Sequence, residues 1–235
     1  MQMDRRKVLF WQLTSSPESW AGTVLAAITP DLFPLISSYY KRGLPFQYIP
    51  TDNKNSLHFR RSNLFQVFIF DYSGFGFSEG KATRKQVLSD ANAALNYIKG
   101  REDVKGTKLV IYGQSLGGHL SAVVAAQRQE EIDGLVIEGA FSSHKDIAAE
   151  NAGFFGRLLV CEQYSASESI RNYKKPVLII HSTEDDIIPF EMGKKLFDNA
   201  NNPKEFYEIK HCHMCGPDFY AESIAQKIKK MVGKE

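Results

Sequence analysis

Apolar positions along this chain alternate between two rhythms, and the switches mark its elements. Residues 66–71 (Gln-Val-Phe-Ile-Phe-Asp) are apolar on both faces of an extended chain, as a buried parallel strand requires. Val87, Ala91, Ala94, Leu95 and Ile98 then recur at helical spacing and predict a helix over 83–99. The alternation continues with strands at 109–112, 134–138, 176–181 and 205–209. Between and after them, helical patterns follow Ser115, occupy most of 142–169, and cover 191–200 and 219–232. Strands alternating with helices predict an α/β fold, a mostly parallel doubly wound sheet covered on both faces.

The first 65 residues are less regular. A short strand is expected at 7–11 and a polar turn at 12–19, followed by a helix broken at Pro30 and Pro34. Residues 45–59 read as two short strands around an Asp52-Asn-Lys-Asn turn. The stretch 141–172 lies between two strands and is long enough for a small helical lid. Its Phe154, Phe155, Leu158 and Leu159 suit either an apolar lining of a site or one face of a core helix.

Composition narrows the possibilities. The 235 residues suit a single domain over 1–235 with a sizeable core. Net charge is +2 with both signs interspersed, which gives no footprint for a nucleic acid. Three cysteines (Cys161, Cys212, Cys215) are too few for a disulfide framework and point to a reducing, cytoplasmic setting. The apolar run after Arg5-Arg-Lys7 stops at Gln12, and 23–36 contains Pro30, Asp31 and Pro34, so no membrane span is expected.

Candidate chemistry centres on Gly113-Gln-Ser-Leu-Gly-Gly118, set between an apolar strand and a small-residue helix. A serine held in a sharp strand-to-helix turn needs neighbours without side chains, and the helix N-terminus offers free N–H groups to a developing oxyanion. Ser115 is therefore the candidate nucleophile and the Leu116 N–H a candidate oxyanion donor. A serine needs a base, and the base an orienting acid. Loops at the carboxyl ends of later strands offer Glu184, Asp185 and Asp186, then His211 and His213. The segment His211-Cys-His-Met-Cys215 also has a zinc-like Cys-x-x-Cys spacing. Adjacent residues of an extended segment diverge, however, and no second Cys/His pair completes a tetrahedron. No metal or cofactor is expected.

Three segments together resemble the alpha/beta-hydrolase superfamily: Phe70-Asp-Tyr-Ser-Gly-Phe-Gly-Phe-Ser-Glu-Gly80, Gly113-Gln-Ser-Leu-Gly-Gly118 and His181-Ser-Thr-Glu-Asp-Asp-Ile-Ile-Pro189. The similarity is to small serine hydrolases with an Asp-Tyr-Arg-Gly-Phe-Gly-x-Ser-x-Gly loop before the elbow. The resemblance implies an acid at Asp185 and a histidine at His213, with His211 as runner-up. Ser182 stands where those hydrolases have Gly. Their His-Gly-Asn type turn, which supplies the second oxyanion N–H, has no counterpart, since no His-Gly occurs in the chain. Aligning 8–20 with that strand and loop would put Leu13 at the donor position. The implied activity is cleavage of a small-molecule carboxylic ester or thioester through an acyl-enzyme. A serine peptidase of the same fold, and a catalytically impaired relative serving in binding, are the alternatives.

Overall fold

In a computed structural model, the described residues are 72–75 and 78–233, together with Phe68 and Phe70. The strands expected at 7–11 and 45–59, the broken helix at 20–41, most of 66–71 and Leu13 lie outside them.

Four strands form one sheet among the described residues: β1 (Val110–Gln114), β2 (Gly134–Glu138), β3 (Val177–Ser182) and β4 (Lys204–Ile209), in the order β1-β2-β3-β4. Every neighbouring pair is parallel, with Gln114 level with Glu138, Glu138 with Ile180, and Ser182 with Ile209. Every residue of β1, β2 and β3 is buried, so both faces of these strands are covered. Strand β4 has mostly half-buried positions, as an edge strand should.

Helix α1 (Arg84–Lys99) is capped by Thr83, whose hydroxyl accepts the Gln86 N–H, and it buries Val87, Ala91, Ala94, Leu95 and Ile98 as the spacing predicts. Helix α2 (Leu116–Gln127) packs on β1 and β2 and is buried from Gly117 to Ala125, which explains its small, apolar sequence. Helix α3 (His144–Leu159) is kinked at Ala152 and Gly153 and precedes the single turn α4 (Ala166–Ser169). Helix α5 (Phe190–Asn199) and helix α6 (Gly216–Val232) both pack on β3. Pro217 in the first turn of α6 starts that helix three residues before the apolar spacing alone suggests.

The main core cluster gathers aliphatic side chains from β1–β3, α1 and α2, extended by Tyr72, Tyr173 and Phe68, and Phe141, Ile188 and Met192 form a smaller one. Phe70 stacks against Phe68 and tilts onto Tyr72 at 4.7 Å, so the glycine-rich loop after it is tied to the core. Because all four strands run the same way, the segments after β1, β2, β3 and β4 emerge at one end of the sheet, and they carry Ser115, Gly139, 183–189 and 210–215. No helix among the described residues is long and apolar enough to cross a membrane.

Candidate active site

The turn from β1 into α2 is backbone-strained. Ser115 has φ 52° and ψ −122°, outside the range that L-residues adopt freely. The surroundings enforce it: the Ser115 N–H donates to the Glu138 carbonyl at 2.9 Å, and the Ser115 carbonyl accepts the His119 N–H at 3.1 Å. Gly113 is obligatory for a packing reason, since a Cβ there would collide with the Gly117 carbonyl. Leu116 is the first residue of α2, where an amide has no intrahelical acceptor. Its N–H therefore remains the candidate oxyanion donor of the sequence reading.

The candidate acid and base lie together across the strand ends. His213 Nδ1 is 2.7 Å from Asp185 Oδ2, while Asp185 Oδ1 accepts the N–H groups of Ile187 and Ile188 at 3.0 and 2.8 Å. The Asp185 side chain is 1% exposed. Burial would raise its pKa, but the His213 hydrogen bond, the two backbone N–H groups and the nearby imidazole outweigh burial and hold it below the usual carboxylate value. His181 Nε2 approaches the same oxygen at 3.5 Å and bonds the Ile188 carbonyl at 3.0 Å, bracing the loop. Gly139, with φ +53°, lies flat against this pair: a Cβ there would sit 3.2 Å from the His213 ring and 3.3 Å from Asp185 Oδ2. Since Glu138 next to it accepts the Ser115 N–H, the serine and the imidazole flank the same two residues of the β2 end. Ser115 Oγ and His213 are not hydrogen bonded to each other in this structure.

The competing residues have other uses. Glu184 is exposed and accepts the His211 N–H at 2.9 Å; Asp186 is exposed. His211, with φ 79°, is exposed and stacks on Phe219 at 4.1 Å, away from Asp185. Ser182, in the position of an expected glycine, donates its hydroxyl to the His211 carbonyl and accepts the Glu184 N–H, joining the acid loop to the histidine loop.

Cys212 and Cys215 are disulfide-bonded, with Cα atoms 5.4 Å apart. Three cysteines, too few for a disulfide framework, gave no expectation of this single bond. The bond removes both sulfurs as zinc ligands. Cys161 is free and exposed. Residue spacing alone could not distinguish a Cys-x-x-Cys pair held as thiols from one closed by the turn geometry of residues 212–215.

One participant was not legible from spacing. Glu138, 1% exposed, accepts from the Tyr112 hydroxyl, from Gln114 Nε2 at 2.6 Å and from the Gly216 N–H at 2.7 Å. Gln114 also reaches the Met214 carbonyl at 3.3 Å. The carboxylate thus joins β1 to the histidine loop and the start of α6. Burial pushes its pKa up, while the three donors and the nearby His213 pull it back. A polar residue closing an otherwise apolar strand (Gly-Leu-Val-Ile-Glu138) was the signal available.

A cavity of about 400 Å³ opens on Ser115 and is lined mainly by apolar side chains, among them Phe75, Leu116, Phe141, Ile147, Ile187 and Ile188, with Arg84, His144 and Tyr164 as its polar wall. Phe154, Phe155, Leu158 and Leu159 do not line it and are 63–86% exposed. They are not one buried face of a core helix. The contribution of 141–172 to the cavity comes instead from Phe141, His144, Ile147 and Tyr164.

Residues 55–160 match the family model described as alpha/beta hydrolase fold. The chain is 37% identical over 147 residues to the uncharacterized protein YfhR of Escherichia coli O157:H7, covering 62% of this chain and 51% of that one. It is 32% identical over 167 residues to protein bem46 of Schizosaccharomyces pombe, covering 68% and 56%. The chain thus spans about half the length of the curated relatives it matches. Among solved structures, Est1E from Butyrivibrio proteoclasticus superposes with a TM-score of 0.66 at 16% identity, covering 98% of this chain and 90% of that one. The Pyrococcus furiosus esterase Pf2001 superposes with a TM-score of 0.63 at 17% identity, covering 97% and 84%. At such identity the likeness is one of fold.

Proposed function

Since the chain belongs to the alpha/beta-hydrolase superfamily, we propose that it is a serine hydrolase cleaving carboxylic ester or thioester bonds of a small molecule through an acyl-enzyme. The observation that carries this reading is the 2.7 Å His213–Asp185 bond at the strand ends that also hold the strained Ser115.

In the proposed mechanism Ser115 Oγ attacks the substrate carbonyl while His213 Nε2 takes its proton. Asp185 holds Nδ1–H and thereby fixes the tautomer that leaves Nε2 free. The tetrahedral oxyanion receives the Leu116 N–H, with Leu13 proposed from the alignment of residues 8–20 as the second donor. His213 then protonates the departing alkoxide or thiolate, and water activated by the same nitrogen releases the acid. Each oxyanion donor is worth about 3–4 kcal/mol of transition-state stabilisation. Glu138 supports the arrangement by anchoring the segment that follows His213.

An apolar cavity beside Ser115 favours an acyl group over a charged peptide terminus, so esters are preferred to aminoacyl amides. A second reading rests on one observation, the absence of any His-Gly turn. A hydrolase fold without a second oxyanion donor would serve binding. A fluorophosphonate probe, together with p-nitrophenyl esters and aminoacyl-nitroanilides, separates these readings. The proposal expects Ser115-dependent labelling and ester turnover. Labelling with anilide turnover alone would indicate a peptidase, and a folded protein that neither labels nor turns over would indicate the binding relative.

A further inference from the structure

We infer that His119, His144 and Glu162 form a binding site for one divalent transition-metal ion of the zinc class. His119 lies on α2 one turn beyond Ser115 and is fully buried. Its Nδ1 is 3.1 Å from the Phe141 carbonyl, which can only accept, so Nδ1 carries the hydrogen and Nε2 holds a lone pair. Among the described residues that buried Nε2 makes no hydrogen bond of ordinary geometry, although the Tyr164 backbone acts on the same imidazole. A backbone carbonyl that fixes the far nitrogen, leaving the near one bare, is the usual support for a metal-binding imidazole.

His144, the first residue of α3, sits with its ring 4.6 Å from that of His119. Its Nδ1 is 3.2 Å from Glu162 Oε1, close to the roughly 3.3 Å that separates two tetrahedral ligands about 2.0 Å from one zinc ion. One ligand atom of each of the three residues lies within 4.8 Å of the others, so closure on an ion requires the widest pair to move by at most about 1.5 Å. Glu162 is anchored as a carboxylate by the backbone N–H groups of His144 and Lys145, both at 3.0 Å. Two imidazoles and a carboxylate are a ligand set suited to zinc, cobalt and nickel.

One group opposes a cation: Arg84, held by the Cys161 carbonyl at 2.6 Å, acts on His144 from the cavity side. A plain His144–Glu162 hydrogen bond accounts for those two side chains but leaves His119 Nε2 without a hydrogen bond of ordinary geometry. Sequence reading misses the set because its members stand at 119, 144 and 162, with no motif spacing. A bound ion would pin α2, which follows Ser115, to the start of α3.

The test is titration of the full chain, chelator-treated and unreduced, with zinc chloride by calorimetry and with cobalt(II) by visible absorption, folding being checked by circular dichroism. The expected result is one equivalent bound, weakened about tenfold or more in Glu162→Gln and in His119→Phe, and tightened in Arg84→Gln. Glu162→Gln decides the matter if His119→Phe does not fold. Absence of stoichiometric binding overturns the proposal. So does binding that persists in Glu162→Gln and disappears in His211→Asn, which would place the ion at the exposed 211–215 loop.

Discussion

At the scale of single residues, the candidate site combines strain with charge. Ser115 is held at positive φ, and Asp185 is held ionised against burial by donors that include the imidazole it orients. Asp185→Asn should keep the fold yet lower kcat for esters by about 10⁴-fold, because the amide favours the wrong His213 tautomer. Steady-state kinetics beside a circular dichroism spectrum check this, and a loss under tenfold would contradict it. Glu138 differs in kind, since it touches neighbours of His213 and no reacting atom. Glu138→Ala leaves the buried donors of Tyr112, Gln114 and Gly216 unpaired, at about 1–3 kcal/mol each. Glu138→Gln keeps an acceptor and should recover part of both stability and kcat, as urea titration and ester kinetics would show.

At the scale of elements, the sequence made most of the architecture legible wherever one period dominated. Strand β2 matches the expected 134–138, and α1 buries the five residues that its spacing marked. Boundaries moved where local chemistry overrode periodicity. Pro217 opens α6 early, and α3 kinks at Gly153, whose φ of +61° continues no helix. A parallel sheet delivers successive loops to one end, which made the loops carrying Glu184, Asp185, Asp186, His211 and His213 legible as candidates; only the family resemblance singled out Asp185 and His213. The Glu138 network and the His119–His144 pair were not, because each depends on neighbours far apart in sequence; the disulfide was not, because the local turn at 212–215 decides whether the two sulfurs meet. The elbow itself should be intolerant. Gly113→Ala forces a methyl group into the Gly117 carbonyl, so the turn must shift and Ser115 with it. Ester hydrolysis is expected to fall below detection while the melting temperature drops, overpacking of this kind costing about 1–3 kcal/mol. Near-normal turnover in that variant would mean the serine does not need this turn.

At the scale of the whole molecule, one carboxylate ties separate elements together. Asp146 on α3 receives Lys195 of α5 at 2.7 Å, Arg157 at 2.9 Å and the Ser142 hydroxyl at 2.6 Å. Burial opposes its charge, but Lys195 and the Ser142 and Ser143 hydroxyls prevail and set its pKa at about 2, from an ordinary 3.8. A depressed carboxylate contributes stability above its unfolded pKa and loses it as pH falls through the folded one. Asp146→Asn should therefore cost about 1–2 kcal/mol at pH 7, and the difference from the native chain should vanish between about pH 4 and pH 2. Urea titrations at both pH values measure it, and a constant difference would contradict the assignment. The exposed Phe154, Phe155, Leu158 and Leu159 lie outside the cavity. Replacing Phe155 and Leu159 by Ser should leave kcat/KM for short esters unchanged and stability within about 0.5 kcal/mol per site.

All of this converges on whether Ser115 becomes covalently acylated. Rapid mixing of the full chain with p-nitrophenyl acetate, acid quenching and peptide mass spectrometry answer that directly. A burst approaching one p-nitrophenol per chain and an acetyl group on the peptide containing Ser115 are expected, both absent in Ser115→Ala. A folded, active chain that shows no burst and no adduct on Ser115 would contradict the mechanism.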